Sequence, residues 1–140
     1  MRSVTSFLEG FRDFMREMLA NHSEEFGQEF SDLWALQEER IGIVLERLDA
    51  RDYDQDRLRE VGLADQQGDF EVRVFEASRN AYQADPTPLR ALDVLEAANI
   101  TLGSLTLVFP ILQSVEELKS IGEFMLSRGR DWVKRWLWPL

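Results

Sequence analysis

The sequence predicts an all-α fold, a helical bundle of about five to six helices with a central hydrophobic helix kinked by proline. Apolar residues recur with helical spacing from residue 4 to residue 50, and prolines interrupt the pattern in the second half. Only 70–76 and 104–109 alternate like strands, so an α+β alternative pairs them as a small two-stranded element. With 140 residues and 44% hydrophobic residues, we expect one helical domain over 1–140, of which 130–140 is a C-terminal docking segment.

The first two helices are predicted from apolar periodicity. The first spans Val4–Ala20 and ends at Asn21; the second starts with Ser23 as its N-cap and runs to about Ala50. At about 100° per residue, each helix carries one apolar stripe. The first stripe is Phe7, Leu8, Phe11, Phe14, Met15, Met18 and Leu19, and the second is Phe26, Phe30, Leu33, Trp34, Ile41, Val44, Leu45 and Leu48.

A second apolar line lies on the flank of the second helix. Leu36, Ile43 and Ala50 recur every seven residues, about 120° from the main stripe. Two apolar lines imply two neighbours, which are either helices of the same chain or one such helix and another subunit. The line is therefore a possible oligomer seam.

The segment after the second helix contains alternating carboxylates over 52–56. A calcium loop is rejected, because Arg57 stands where such a loop needs Gly and Leu63 stands where it needs Glu. Asp54 instead predicts a short helix through Val61. A further helix is predicted after a loop at 66–69, with Asp69 as its N-cap and an apolar face made of Phe70, Val74, Ala77, Ala81 and Tyr82.

Thr87 and Pro88 predict the start of the next helix, as N-cap and first helical residue. The stretch 97–115 has no charge, and its apolar residues point all around a helical wheel, so we expect a helix surrounded by apolar contacts. Pro110 should kink or break it and separate it from a helix through Met125. A membrane span is disfavoured because nearly half of the stretch is polar, glycine or proline.

The C-terminal segment combines tryptophans with cations. Asp131 predicts the cap of a short helix on which Trp132 and Trp136 share a face. Three interpretations are open: a last helix that closes the core, a partner-binding tail, and a membrane-surface anchor. The candidate partner- or membrane-binding residues are Arg130, Trp132, Lys134, Arg135, Trp136 and Trp138.

Composition argues against several chemistries. The net charge is −10, and residues 1–70 carry 17 acidic and eight basic residues, so nucleic acid is not an expected partner. There is no cysteine and one histidine, His22, which we expect at the turn between two helices, either as a solvated turn residue or as a cation at a helix C-terminus. No glycine-rich phosphate loop or Glu-x-x-His pair occurs. We therefore expect no catalytic residues, no metal site and no cofactor.

Three functions are compatible with these features. The first is a non-catalytic helical interaction or assembly module that self-associates, or docks on a protein partner, through apolar helix faces and the Trp/Arg-rich C-terminus. The second is a protein that associates conditionally with membranes, and the third is a carrier of a small apolar ligand. Because Glu9 and Asp13 interrupt the first apolar segment, it does not resemble a secretory signal, which favours the cytoplasm.

Overall fold

The computed structural model describes residues 4–49, 66–108 and 113–137, and within these ranges the chain forms five α-helices and no strand. They are α1 (Val4–Phe26), α2 (Gln28–Asp49), α3 (Gln66–Ala84), α4 (Pro88–Val108) and α5 (Gln113–Leu137). The all-α prediction is confirmed, and the two-stranded alternative is wrong because 70–76 lies in α3 and 104–108 in α4. The helix predicted from Asp54 and the kink predicted at Pro110 lie outside the described residues.

The helices form a ring in the order α1, α2, α5, α4, α3. α2 is antiparallel to both α1 and α5, and α4 is antiparallel to both α3 and α5, whereas α1 and α3 are parallel neighbours joined by aromatic contacts. The ring centroids are 5.2 Å apart for Phe7 and Phe75 and 5.5 Å for Phe14 and Tyr82. The core inside the ring contains most of the predicted stripes of α1 and α2, including Phe11, Phe14, Met15, Met18, Trp34 and Ile41, while the side chain of Leu48 lies outside the described part of the structure.

The turn between α1 and α2 lies at Gly27, so the predicted boundary at Asn21–Ser23 is wrong. Gly27 has φ of 84°, which is a left-handed conformation that glycine adopts without steric cost, and its N–H donates to the Ser23 carbonyl at 3.2 Å. α1 therefore continues five residues past Asn21, to Phe26. On the outer side of this hairpin, the Arg16 guanidinium donates a hydrogen bond to Glu38, which raises the pKa of Arg16 above its usual value.

α3 is helical as predicted, but it begins at Gln66 and its buried face is rotated from the predicted one. Of the predicted face, Tyr82 is buried, whereas Phe70 is 61% exposed and Val74 is also exposed; Val72 and Phe75 are buried in their place. The rotation of α3 is set by α1, because Phe75 packs between Phe7 and Phe11. The predicted face of Phe70 and Val74 is therefore wrong.

α4 begins as predicted, with Thr87 capping it: the Arg90 N–H donates to the Thr87 hydroxyl oxygen at 3.2 Å. Its part of the uncharged stretch is not fully surrounded by apolar contacts, since Ile100 is exposed. Its inner side packs closely on α5 at Gly122 and Gly129. Within the described ranges, none of the helices has the combination of length and apolar character that crossing a membrane requires.

Candidate interaction surface

α2 and α5 pack side by side in a register fixed by three contacts. The Gln37 side-chain amide donates to the Leu118 carbonyl at 2.7 Å, and the Arg40 guanidinium lies 3.7 Å from the Glu117 carboxylate. Near the other end, a Cβ added at Gly129 would lie 3.4 Å from Cζ of Phe30. Because residue numbers rise on one helix as they fall on the other, the pair is antiparallel.

The outer side of this pair carries apolar side chains. Leu36, on α2, is 36% exposed, and Phe124, on α5, is 43% exposed. The register places both midway between the Arg40–Glu117 pair and the Phe30–Gly129 contact. Leu33 and Ile121 pack against the core in a partly buried position. We define the α2/α5 face by its exposed residues Glu29, Asp32, Leu36, Arg40, Glu117, Phe124, Arg128 and Asp131.

Charged groups border the two apolar side chains. The Arg128 guanidinium lies 5.1 Å from the centroid of the Phe124 ring, which is a cation–π contact. Asp32 accepts a hydrogen bond from the Gln28 amide at 2.8 Å. An apolar centre with a charged rim is the usual anatomy of a protein–protein contact.

The predicted second apolar line coincides in part with this face. Leu36 is exposed at its centre and Ile43 is partly buried one heptad further along α2, whereas Ala50 lies outside the described residues. The contribution of α5 to the face was missed. Phe124 could have been found from its position, because it is the apolar residue on the outside of the stripe formed by Leu118, Ile121 and Met125.

The C-terminal segment is the end of α5 rather than a separate short helix. Asp131 lies inside α5, so its predicted capping role is wrong. Arg130 is exposed and forms an ion pair with Glu96 of α4 at 3.0 Å. The backbone of Trp132, Lys134, Arg135 and Trp136 continues the helix, but their side chains and the whole of Trp138 lie outside the described part of the structure.

The last turn of α5 extends past its neighbours. Gly129 packs against both Phe30 and Leu92, while α2 begins at Gln28 and α4 at Pro88. In antiparallel pairing these helix starts lie level with about residues 131 and 133 of α5. Residues 134–137 therefore continue about 6 Å beyond them, at about 1.5 Å per residue.

The single histidine is part of the core, so its predicted place in a solvated turn is wrong. His22 is 2% exposed and lies in the last turns of α1, with its ring 5.9 Å from that of Phe26 and 5.6 Å from that of Tyr82. The extension of α1 to Phe26 is what carries it inward. Among the described residues, no group of three or more histidines and carboxylates is arranged to hold a metal ion.

Polar groups without hydrogen-bond partners lie inside the ring. Asn99 is 7% exposed, and within the described structure neither of its amide atoms has a hydrogen-bond partner. The same holds for Nε1 of Trp34 and Oε1 of Gln37. Buried polar atoms without partners are costly, so these three residues mark a polar layer in the core. The sequence analysis predicted Trp34 as part of the apolar stripe but missed Gln37 and Asn99, whose polar side chains at core-facing helical positions are the signal that could have found them.

Two surface depressions bear on the ligand-carrier hypothesis. One, of about 280 Å³ between α1 and α3, is lined by residues that include Glu76, Arg79 and Asn80. The other, of about 310 Å³ on α5, is lined by Glu123, Leu126, Ser127, Arg130 and Asp131. Charged side chains border both depressions, and Phe7 and Phe75 also line the first.

Comparison of the chain with protein-family models, curated proteins and solved structures finds no significant match. Its function is therefore inferred from its own surface.

Proposed function

We propose that this chain is a non-catalytic helical assembly module of the cytoplasm, which self-associates or docks on a protein partner through the α2/α5 face and the segment 130–140. The observation that carries the proposal is the pair of exposed apolar side chains, Leu36 and Phe124, on one side of two packed helices. Aromatic residues are enriched in protein interfaces, and a few well-packed residues near the centre of an interface contribute most of the energy of association.

The C-terminal segment supports the same proposal. It combines three tryptophans with Arg130, Lys134 and Arg135, and tryptophan and arginine are the residue types most enriched at binding hot spots. The backbone of its last helical turn extends beyond α2 and α4, where a partner can reach it. Its positive charge complements the excess of acidic residues in 1–70.

The direct test is light scattering on the purified chain over a concentration series. We expect a mass above the 16.3 kDa of one chain, rising with concentration as mass action requires. Removal of residues 130–140 should shift the series toward one chain. A mass of one chain at every concentration, with or without the segment, would count against self-association.

Paired substitutions locate the surface. L36S and F124S should each weaken association, because each removes an exposed apolar contact from the α2/α5 face. The matched control is F70S, since Phe70 is more exposed, at 61%, but lies on α3. If F70S weakens association as much as F124S, the assignment of the α2/α5 face is wrong.

Flotation with anionic phospholipid vesicles tests the membrane alternative. If the proposal is correct, the full chain does not bind the vesicles and remains at the bottom of the gradient. Flotation that is lost on removal of residues 130–140 would instead assign that segment to a lipid surface.

A further inference from the structure

We infer that the partner of the α2/α5 face is a second copy of this chain, with α2 of each copy packed on α5 of the other about a two-fold axis parallel to the helices. The inference rests on the proposed assembly function and identifies its partner. What carries it is the arrangement of four charges around Leu36 and Phe124.

The charges alternate in sign around the apolar centre. On α2, Asp32 and Arg40 lie eight residues apart, about 12 Å along the helix, with Leu36 midway between them. On α5, Glu117 lies level with Arg40, at 3.7 Å. Arg128 lies next to Gly129, which packs on Phe30, so it lies level with the Asp32 end of α2. At one level, the negative Asp32 of α2 therefore lies beside the positive Arg128 of α5. At the other level, the positive Arg40 of α2 lies beside the negative Glu117 of α5.

This alternation makes the face complementary to itself. A two-fold rotation about an axis along the helices places α2 on the partner's α5 at the same level. Arg40 then meets the partner's Glu117, and Asp32 meets the partner's Arg128. At the centre, Leu36 packs on the partner's Phe124. Each contact occurs twice, as an isologous dimer requires, and all four charge contacts are attractive.

The charged side chains have room for a second partner. The side chains of Arg40 and Glu117 are 44% and 56% exposed although they face each other within one chain. Their separation of 3.7 Å leaves guanidinium N–H groups and carboxylate lone pairs available to the opposite copy. An alternating network of this kind gives specificity and orientation beyond what an isolated surface pair gives.

The C-terminal extension favours this axis over one that crosses the helices. With the axis along the helices, the end of each α5 runs beside the start of the partner's α2, where Glu29 and Asp32 are exposed. The segment 130–137 carries Arg130, Lys134 and Arg135 against one acidic residue, Asp131, so this axis brings a net positive stretch of chain to the acidic start of the other copy's α2. With a two-fold axis perpendicular to the helices, α2 would pack on the partner's α2. The C-terminal end of α5 would then lie far from the start of the partner's α2.

The size of the face suits a dimer. α2 has 22 residues, so it is about 33 Å long, and two packed helices are about 20 Å wide. Their outer side therefore covers roughly 650 Å², close to the roughly 800 Å² that one partner contributes to a standard interface. The extension of α5 adds to that area.

The test uses charge reversal and mixing, followed by sedimentation equilibrium. R40E and E117R each place like charges at two contacts of a homodimer, so each should weaken dimerisation at least about tenfold. An equal mixture of the two restores opposite charges at both contacts and should dimerise within about threefold of the original chain. R90E, on α4, is the control that should leave the dimer unchanged. Far-UV circular dichroism checks that every variant folds.

The outcomes separate this inference from the proposed function. If the original chain assembles but R40E and E117R assemble equally well, the two-fold contact is wrong and the assembly function stands. Another outcome is that the mixture of R40E and E117R dimerises as weakly as either variant alone, while a mixture of R40E and D32R regains the dimerisation of the original chain. That result would mean that α2 packs on the partner's α2, and it would overturn this arrangement. If the original chain is monomeric throughout, self-assembly itself is refuted.

Discussion

The contact between Gly122 and Asn99 offers a quantitative test of the packing of α4 on α5. A Cβ added at Gly122 would lie 2.0 Å from Oδ1, 2.7 Å from Cγ and 2.8 Å from Nδ2 of Asn99. Asn99 is only 7% exposed, so its amide cannot swing into solvent without repacking the core. Overpacking of this kind costs about 1–3 kcal/mol. Alanine in a helix interior gains about 1 kcal/mol over glycine, so G122A should lower the free energy of unfolding by about 0–2 kcal/mol.

Gly42 provides the matched control, because it lies inside α2 and an added Cβ meets nothing within 4 Å. G42A should therefore raise the free energy of unfolding by about 0.5–1 kcal/mol. In a chain that carries N99A the obstacle is gone, and G122A should then be stabilising, with a coupling energy of about 1–3 kcal/mol. Urea denaturation at equal protein concentration measures all four variants.

Two results would refute this reasoning. The first is a G122A chain that is stabilised as much as the G42A chain. The second is an effect of G122A that stays the same when Asn99 is replaced by alanine. Either result would mean that the amide of Asn99 does not occupy the space beside Gly122.

Three further variants test other parts of the fold by the same denaturation measurement. G27A should lower the free energy of unfolding by about 1–2 kcal/mol, because Gly27 has φ of 84°, a left-handed conformation that is unfavourable for alanine, although nothing lies within 4 Å of the added Cβ. A neutral effect would mean that the turn does not lie at Gly27. N99L, of similar shape, should stabilise by about 1–2 kcal/mol because it removes partnerless amide atoms; destabilisation would show that the amide is hydrogen-bonded. R79A should destabilise the fold more than R16A, because Arg79 bonds Glu17 in a partly buried site at 2.6 Å whereas Arg16 is exposed; equal effects would contradict this.

Local sequence signals predicted the helices and two of the buried faces. The stripes of α1 and α2 could be identified because their apolar residues repeat at helical spacing over long segments. Thr87 and Pro88 marked the start of α4 because a cap and a first-turn proline act through local geometry. Each of these signals depends only on residues that are close to one another in the sequence.

The remaining errors arose where distant residues decide the outcome. Asn21 and Gly27 are both acceptable helix ends in sequence, and the helix continued to the glycine, which then brought His22 into contact with Tyr82. The face of α3 depends on the rings of Phe7 and Phe11, which no local pattern in 66–84 reveals. On the candidate surface, the seven-residue repeat of apolar residues predicted Leu36. That Phe124 lies beside Leu36 follows only from the register in which α2 packs on α5.

Site-directed cross-linking between copies tests the central claim, that the α2/α5 face holds a second copy, most directly. The chain contains no cysteine, so single-cysteine variants L36C and F124C can be mixed and treated with a short bismaleimide. We predict that the mixture gives a cross-linked dimer of the two variants, in excess of the product from either variant alone. A yield no higher than that of a control mixture of F70C and L89C, both exposed but on α3 and α4, would contradict the claim.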